Sequence, residues 1–298
     1  MKKWWILLIA FSAWTALGVI VPERPQGSAA SQTRSSQIPS RIVSMAPDLT
    51  EILFALGLSD DIVGVTQDSD YPLPAMAKPK VGTFWQPNIE AVIALKPDLV
   101  VTQGFEQQRN LADRLTRLGY RCLTLDIRTV NDLFEAISAM AAATGRQQQA
   151  QQLLDRMRAR IAAVRDARTS SNKVRVLWVV QRDPLRVAGT STFIDELIEL
   201  AGGKNAIGPT MHQYPSIGGE QVIASVPQVI IEPAMTGGNL AAQRAHAVSY
   251  WNRYATVPAV ANGRIYVIDG SLVSRLSPRL PDGIELIARC LRPQDPGE

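Results

Sequence analysis

Four aromatic residues in predicted loops are the side chains that most directly suggest binding chemistry in this sequence. They are Tyr71, Phe84, Trp85 and Tyr214, and each lies in a segment bounded by glycine or proline. Flat aromatic surfaces suit a large, planar or apolar ligand. For each residue taken singly, packing against its own lobe is the alternative role. As a set, we expect them to line a ligand cleft.

A serine- and arginine-rich stretch, residues 271–279, follows the predicted strand Ile265–Asp269 and precedes a predicted helix. Its Arg275 can donate hydrogen bonds to an amide, a phosphate or a carboxylate of a ligand. A surface salt bridge is the alternative role, and the sequence leaves both open.

Two glutamates, Glu90 and Glu220, lie in the first turns of predicted helices and at the same point of an internal repeat. The segment from Glu90 to Val101 aligns without a gap with the segment from Glu220 to Ile231, with Val-Ile-Ala and a proline at identical offsets. The helix dipole alone favours a carboxylate there by ~0.3–1 kcal/mol. Matching positions on two lobes also suit docking onto a two-fold symmetric partner with basic sockets, which is the role we expect.

Signatures of catalysis and of metal binding are absent from the sequence. It contains no G-x-G-x-x-G, P-loop, G-x-S-x-G or H-E-x-x-H motif, and its two histidines and two cysteines are scattered. An enzyme would need titratable groups gathered in the cleft. The close acidic pair Asp68 and Asp70 is more typical of a turn. We therefore expect no catalytic residues, no metal site and no cofactor.

Composition limits the remaining classes. The 298 residues are 46% hydrophobic and 19% charged, with 31 basic and 27 acidic residues, which suggests about two folded domains. No dense run of lysine and arginine appears, so we expect no nucleic-acid partner.

The N-terminus has the pattern of an export signal. Lys2 and Lys3 precede the uncharged apolar run Trp4–Val21, which at 18 residues is at the lower edge of what spans a bilayer. Small residues 28–30 offer a cleavage site, and the segment up to Ser40 is polar. A buried first helix is the alternative. We expect residues 1–40 to be a signal or membrane anchor plus a tether, which places the protein in the periplasm or otherwise outside the cytoplasm.

Short apolar runs alternate with helical patterns through the rest of the chain, which predicts parallel βα units. Residues 41–130 form an N-terminal α/β lobe and residues 169–298 a C-terminal one. Between them, residues 131–168 are rich in helix-favouring residues and predict one long bridging helix, with a possible break at Gly145. A second repeated segment, Glu51–Gly57 with Glu196–Gly202, supports two related lobes. The predicted fold is α/β, with two lobes of short parallel sheets joined by a long helix and a ligand cleft between them.

Several motifs resemble the helical-backbone (class III) substrate-binding proteins of ABC importers, which carry cobalamin, haem or ferric siderophores. The resemblance covers about Arg41 to Cys290 and rests on four segments: RIVSMAPDLTE from Arg41, SDYP from Ser69, Asn88-Ile89-Glu90, and LKPDL from Leu95. It implies two lobes bridged by a stiff helix, a monomer, and docking of Glu90 and Glu220 on arginines of paired permease subunits.

Within that family the chain is most similar to the periplasmic cobalamin-binding branch. The resemblance implies that Tyr71 and Arg275 contact the ligand, that Phe84 and Tyr214 replace tryptophans, and that Ser271 replaces an aspartate. Cys290 matches half of a disulfide whose partner position holds Ala201, so we expect two free, buried thiols.

Other ligands and roles remain as alternatives. Haem is possible because Tyr71 or Tyr214 offers a phenolate to iron. A ferric siderophore would require more basic residues in the cleft than Arg275, Arg182 and Arg186. An anchored sensor without transport is a further alternative, and an enzyme is the least favoured. We expect cobalamin or a related corrinoid.

Overall fold

The computed structural model describes residues 38–167, 172–234 and 239–292. The predicted signal or anchor lies almost entirely outside the described residues. Within the described ranges, no helix has the length and apolar character needed to cross a membrane.

The N-terminal lobe contains a parallel sheet of four strands in the order β2-β1-β3-β4. Its elements in chain order are β1 (Ile42–Ser44), α1 (Pro47–Ala55), β2 (Ile62–Val65), α2 (Leu73–Met76), α3 (Ile89–Ala94), β3 (Leu99–Gln103), α4 (Glu106–Arg117) and β4 (Cys122–Leu125). The parallel βα units expected in this lobe are confirmed.

Local sequence signals explain where α3 begins and ends. The side chain of Asn88 accepts a hydrogen bond from the Ala91 backbone N–H at 3.0 Å, which satisfies one of the free amides of the first turn. After Leu95 the backbone of Lys96 is left-handed, with φ of 45°, and Pro97 follows. Proline disfavours helical geometry in the residue before it, so the helix stops and the chain enters β3.

Two helices, α5 (Val130–Thr144) and α6 (Gln147–Asp166), form the bridge between the lobes in place of the single long helix predicted over 131–168, and they are divided at Gly145, where the sequence suggested a break. Gly145 has φ of +71° and ends α5 in a left-handed cap, a conformation that costs glycine little. At 20 residues, α6 is roughly 30 Å long. It packs against α5 on one side and against helices of the C-terminal lobe on the other.

The C-terminal lobe repeats the architecture of the first. Its elements are β5 (Val174–Arg182), β6 (Leu185–Val187), α7 (Phe193–Leu200), β7 (Gly203–Asn205), α8 (Gly219–Ser225), β8 (Val229–Ala234), α9 (Leu240–Trp251), α10 (Pro258–Ala261), β9 (Ile265–Asp269) and α11 (Leu280–Leu291). Strands β7, β5, β8 and β9 pair in parallel in that order, and β6 pairs antiparallel with the end of β5.

The repeat predicted from the sequence extends to backbone conformation. The order β7-β5-β8-β9 reproduces β2-β1-β3-β4. Val226, the counterpart of Lys96, is also left-handed, with φ of 44°, and also precedes a proline. Two non-glycine residues in this uncommon conformation at equivalent points show that the two lobes share one structural plan.

One buried apolar cluster runs through both lobes. It includes Ile42 of the first sheet, Ile137 of α5, Leu154 of α6 and Trp178 of the second sheet. The bridge helices are thus packed into the core that joins the lobes. Both cysteines are free as expected, although Cys122 is half-buried rather than fully buried like Cys290.

Replacing Val226 with glycine should stabilise the protein by about 1 kcal/mol. A β-branched residue in left-handed geometry costs roughly 1–2 kcal/mol, and the entropy lost by glycine offsets only part of that. The Val226 side chain is 45% exposed, so little packing is lost. Chemical denaturation of Val226→Gly measures the effect. Val226→Ala is the control, because it removes the same side chain without relieving the backbone. Equal stability of the two variants would contradict the prediction.

Candidate ligand-binding cleft

A cavity of about 420 Å³ lies where the carboxyl ends of the parallel strands of both lobes meet. In an α/β sheet this edge is where ligands generally bind. The N-terminal lobe contributes the residues that follow or end its strands, and the C-terminal lobe contributes the start of α7 and the loop after β9. The lining residues are Pro47, Asp48, Asp68, Phe84, Trp85, Gln103, Ile127, Phe193, Ser274, Arg275 and Leu276.

Aromatic rings form one wall of this cleft. The ring centroid of Phe84 lies 4.8 Å from the centroids of both Trp85 and Phe105. The centroids of Trp85 and Phe105 are 5.5 Å apart. Trp85 is 65% exposed, which leaves its indole free to stack on a ligand. The structure therefore brings together the predicted Phe84 and Trp85. Phe105, two residues after the end of β3, packs against both rings from outside the lining of the cavity, and the sequence did not single it out.

Polar side chains form the floor beneath the aromatic wall. The Nε2 group of Gln103 donates a hydrogen bond to Oδ2 of Asp48, and both residues line the cavity. Burial raises the pKa of Asp48 to about 6, against the opposing effect of the Leu49 backbone N–H and of Arg275. Sequence reasoning missed this pair, because an aspartate at a helix start and a glutamine at a strand end are ordinary by themselves.

Arg275 enters the cleft from the C-terminal lobe, as predicted, but its guanidinium is already paired. Its Nη1 lies 3.0 Å from Oδ1 of Asp70 and 3.5 Å from Oε1 of Glu51, and both of these carboxylates belong to the N-terminal lobe. Glu51 is almost fully buried and pairs with arginines of the C-terminal lobe, so it is the centre of an ion-pair network across the cleft.

Arg279 completes that network. Its Nε and Nη2 donate to the two carboxylate oxygens of Glu51 at 2.9 and 2.7 Å, the bidentate geometry of a strong pair. The same guanidinium lies 4.0 Å from the ring centroid of Tyr71 and contacts Ser271. Tyr71 and Ser271 thus lie beside the cleft, outside the cavity lining, with Arg279 between them.

Tyr214 lies outside the lining as well. Its ring packs against the apolar cluster shared by the two lobes, and burial raises the pKa of its phenol. Phe84 packs against the same cluster and still lines the cavity, so this packing does not decide the role of Tyr214. That Tyr214 faces Phe84 and Trp85 across the cleft stays a prediction.

Glu90 and Glu220 are exposed in the first turns of α3 and α8, the equivalent helices of the two lobes. Both helices begin at the carboxyl edge of their sheets. Across the described ranges, no group of three or more His, Cys, Asp and Glu side chains could hold a metal ion.

Known proteins share this architecture. Residues 42–272 fit the family model described as Periplasmic binding protein. The chain belongs to the periplasmic binding protein family. This periplasmic binding protein is 32% identical over 263 residues to the "Uncharacterized ABC transporter substrate-binding lipoprotein YvrC" of Bacillus subtilis, covering 86% of this chain and 81% of that protein.

Two solved structures from Vibrio cholerae have the same fold and are named for different ligands. The periplasmic vitamin B12 binding protein BtuF is 28% identical, with a TM-score of 0.72, over 85% of this chain and 97% of that chain. The periplasmic heme binding protein HutB is 26% identical, with a TM-score of 0.74, over 85% and 99%. Overall similarity does not separate the two ligands, so the choice depends on the cleft.

The ion pair between Glu51 and Arg279 should be essential for the stability of this periplasmic binding protein. Glu51→Gln leaves a largely buried guanidinium without its counter-charge, and we expect a loss of roughly 3 kcal/mol. Glu285→Gln is the matched control, because its pair with Arg160 is exposed and worth under about 1 kcal/mol. Urea denaturation measures both. Similar losses in the two variants would contradict a special role for Glu51.

Proposed function

We propose that this chain is the substrate-binding protein of an ABC importer, and that it captures cobalamin or a related corrinoid outside the cytoplasm and delivers it to a membrane permease. The family and the resemblance to BtuF and YvrC support the transport role. The proposed role is binding and delivery rather than catalysis. The exported location follows from the family and from the predicted signal.

The charge of the cleft is the observation that carries the choice of ligand. Among the described lining residues, Asp48 and Asp68 are acidic and Arg275 is basic. Because Arg275 is already paired with Asp70 and Glu51, the cleft has little positive charge to offer an anion. Arg182, a candidate from the sequence, is bound to Glu232 at 2.5 Å. An anionic ferric siderophore is therefore disfavoured, whereas a corrinoid with neutral carboxamide side chains fits the aromatic wall and the polar floor.

Haem is the second candidate, and one feature favours it. Tyr71 lies at the edge of the cleft, is 45% exposed, and has the positive charge of Arg279 above its ring. A phenolate oxygen there is a plausible iron ligand. The raised pKa of Tyr214 makes that residue a poorer one. Against haem, its two carboxylates would meet Asp48 and Asp68 in the cleft.

Titration of the purified protein with cyanocobalamin, hemin and a ferric siderophore distinguishes the ligands. We expect cyanocobalamin to bind one-to-one, with heat released and the fluorescence of Trp85 changed. Phe84→Ala should weaken binding about tenfold, because it removes aromatic contact and loosens Trp85. It leaves the tryptophan reporter in place.

Leu118→Ala is the control for that variant. Leu118 is 60% exposed at the end of α4, at the opposite edge of the sheet from the cleft. The affinity of Leu118→Ala for cyanocobalamin should equal that of the native chain. Binding of hemin in place of cyanocobalamin, with a tyrosinate-to-iron absorption band lost in Tyr71→Phe, would overturn the corrinoid assignment and leave the transport role intact.

Docking on the permease is proposed for Glu90 and Glu220. Their equivalence in the two lobes, their exposure and their place at the cleft edge support contact with a pair of related permease subunits. The acidic groups suit basic sockets on such a partner.

The double variant Glu90→Ala, Glu220→Ala should bind cyanocobalamin as well as the native chain but support little uptake in cells that depend on this importer. Glu106→Ala is the matched control, since Glu106 is exposed in the first turn of α4 and lies outside the repeated segments. Unchanged uptake by the double variant would contradict a docking role for the two glutamates.

A further inference from the structure

Asp48 is a buried carboxyl group at the floor of the cleft. It is the second residue of α1, directly after the carboxyl end of β1, and its residue is only 6% exposed. Oδ2 accepts a hydrogen bond from Nε2 of Gln103, which ends β3, and both side chains line the cavity. Two neighbouring strands thus present a carboxylate and an amide to the same space.

A third residue holds this pair in place. Gln108 is fully buried, and its Oε1 accepts a hydrogen bond from the Gln103 backbone N–H at 2.7 Å. Its Nε2 donates to the carbonyl oxygens of Met45 at 2.6 Å and of Phe84 at 3.2 Å. The side chain of Gln108 therefore ties together the end of β1, the end of β3 and the loop that carries the aromatic wall. These bonds fix the position of Asp48 and Gln103 relative to the aromatic rings.

The fold loses stability when Asp48 is ionised. Burial raises its pKa from 3.8 to about 6; Glu51, one turn along α1, acts in the same direction, and Arg275 opposes it. Asp68 is the other acidic residue of the lining. Since the folded state holds the proton more tightly than the unfolded chain does, stability falls as the pH rises from about 4 to 6. The negative charge of Asp48 therefore does not stabilise the folded protein, and we look for its role in ligand binding.

We propose that Asp48, oriented by Gln103, accepts hydrogen bonds from amide N–H groups of the ligand, and that its carboxylate form binds the ligand more tightly than its protonated form. This inference rests on the proposed corrinoid ligand, whose periphery carries carboxamide donors. An ionised carboxylate on the floor selects such a neutral donor and repels a ligand that presents carboxylates of its own. Asp48 is thus the specificity-determining group of the cleft, and it makes capture dependent on pH.

The test is the dissociation constant of cyanocobalamin between pH 5 and 8, measured for the full chain. We expect affinity to be constant above pH 7 and about tenfold weaker at pH 5, because the ionised fraction of Asp48 falls by that factor. Asp48→Asn should bind about tenfold more weakly than the native chain at pH 7.5, since a charge-assisted hydrogen bond is lost. Its affinity should show no step near pH 6.

Asp98→Asn is the matched control, since Asp98 lies just before the amino end of β3, away from the cleft, and is exposed. It should keep both the affinity and the pH profile of the native chain. A pH step that persists in Asp48→Asn, or an unchanged affinity of that variant at pH 7.5, would overturn the inference.

A measurement on the native chain covers the case in which Asp48→Asn does not fold. Calorimetry at pH 6 in buffers of different ionisation enthalpy should show release of about half a proton per ligand bound. Binding without proton release would overturn the role of Asp48 and leave the proposed ligand standing. Failure of cyanocobalamin to bind at any pH would instead overturn the proposed function, and this inference with it.

Discussion

The cleft depends on one buried carboxylate, that of Glu51. It lies on α1 of the N-terminal lobe, yet its two oxygens are bound by Arg279, and Arg275 lies close by, both from the loop after β9 of the C-terminal lobe. A desolvated charge of this kind is costly unless it is paired, so separating the lobes at this point is strongly disfavoured. The same contacts place Arg275 against the cavity and Arg279 over the ring of Tyr71. The shape and the charge of the cleft therefore follow from the pairing of Glu51.

The repeat places a second glutamate at the equivalent position of the other lobe. Glu196 is the counterpart of Glu51, on α7 of the second lobe, and its Oε2 accepts a hydrogen bond from the backbone N–H of Val130 at 2.8 Å. Val130 is the first residue of α5, where the free amides of a helix start favour a negative charge. Each lobe thus contributes one glutamate to a contact outside the lobe. Glu51 binds the guanidinium of Arg279, and Glu196 binds the first turn of the bridge helix α5. Together with the shared apolar core, these two contacts limit how far the lobes can move apart.

Features encoded locally were predictable from the sequence, and features created by distant contacts were not. The repeated segments, with their prolines after α3 and α8, and the alternation of strands and helices predicted two related lobes, because each depends on neighbouring residues. The division of the bridge was only suggested by the sequence, at Gly145, because helix propensity favours one long helix and the left-handed turn at that residue is what divides it. Phe84, Trp85 and Arg275 line the cavity, and the sequence made them candidates because aromatic residues in loops and a serine- and arginine-rich stretch stand out. Glu51 and Arg279 are 228 positions apart, and nothing local marks them as partners.

The charge that the cleft offers a ligand is what remains after the lobes have been joined. Between the lobes, Arg279 pairs with Glu51 and Arg275 pairs with Asp70. Within the C-terminal lobe, Arg182 pairs with Glu232. Asp48 and Asp68 then face the cavity beneath an aromatic wall, with a paired arginine opposite. A ligand that brought further negative charge would have to compete with Glu51 for the arginines and would weaken the contact between the lobes. A ligand with neutral hydrogen-bond donors and a broad apolar face can fill the same space without disturbing that contact. The interaction that stabilises the two-lobed structure is therefore also what favours a neutral, amide-bearing ligand.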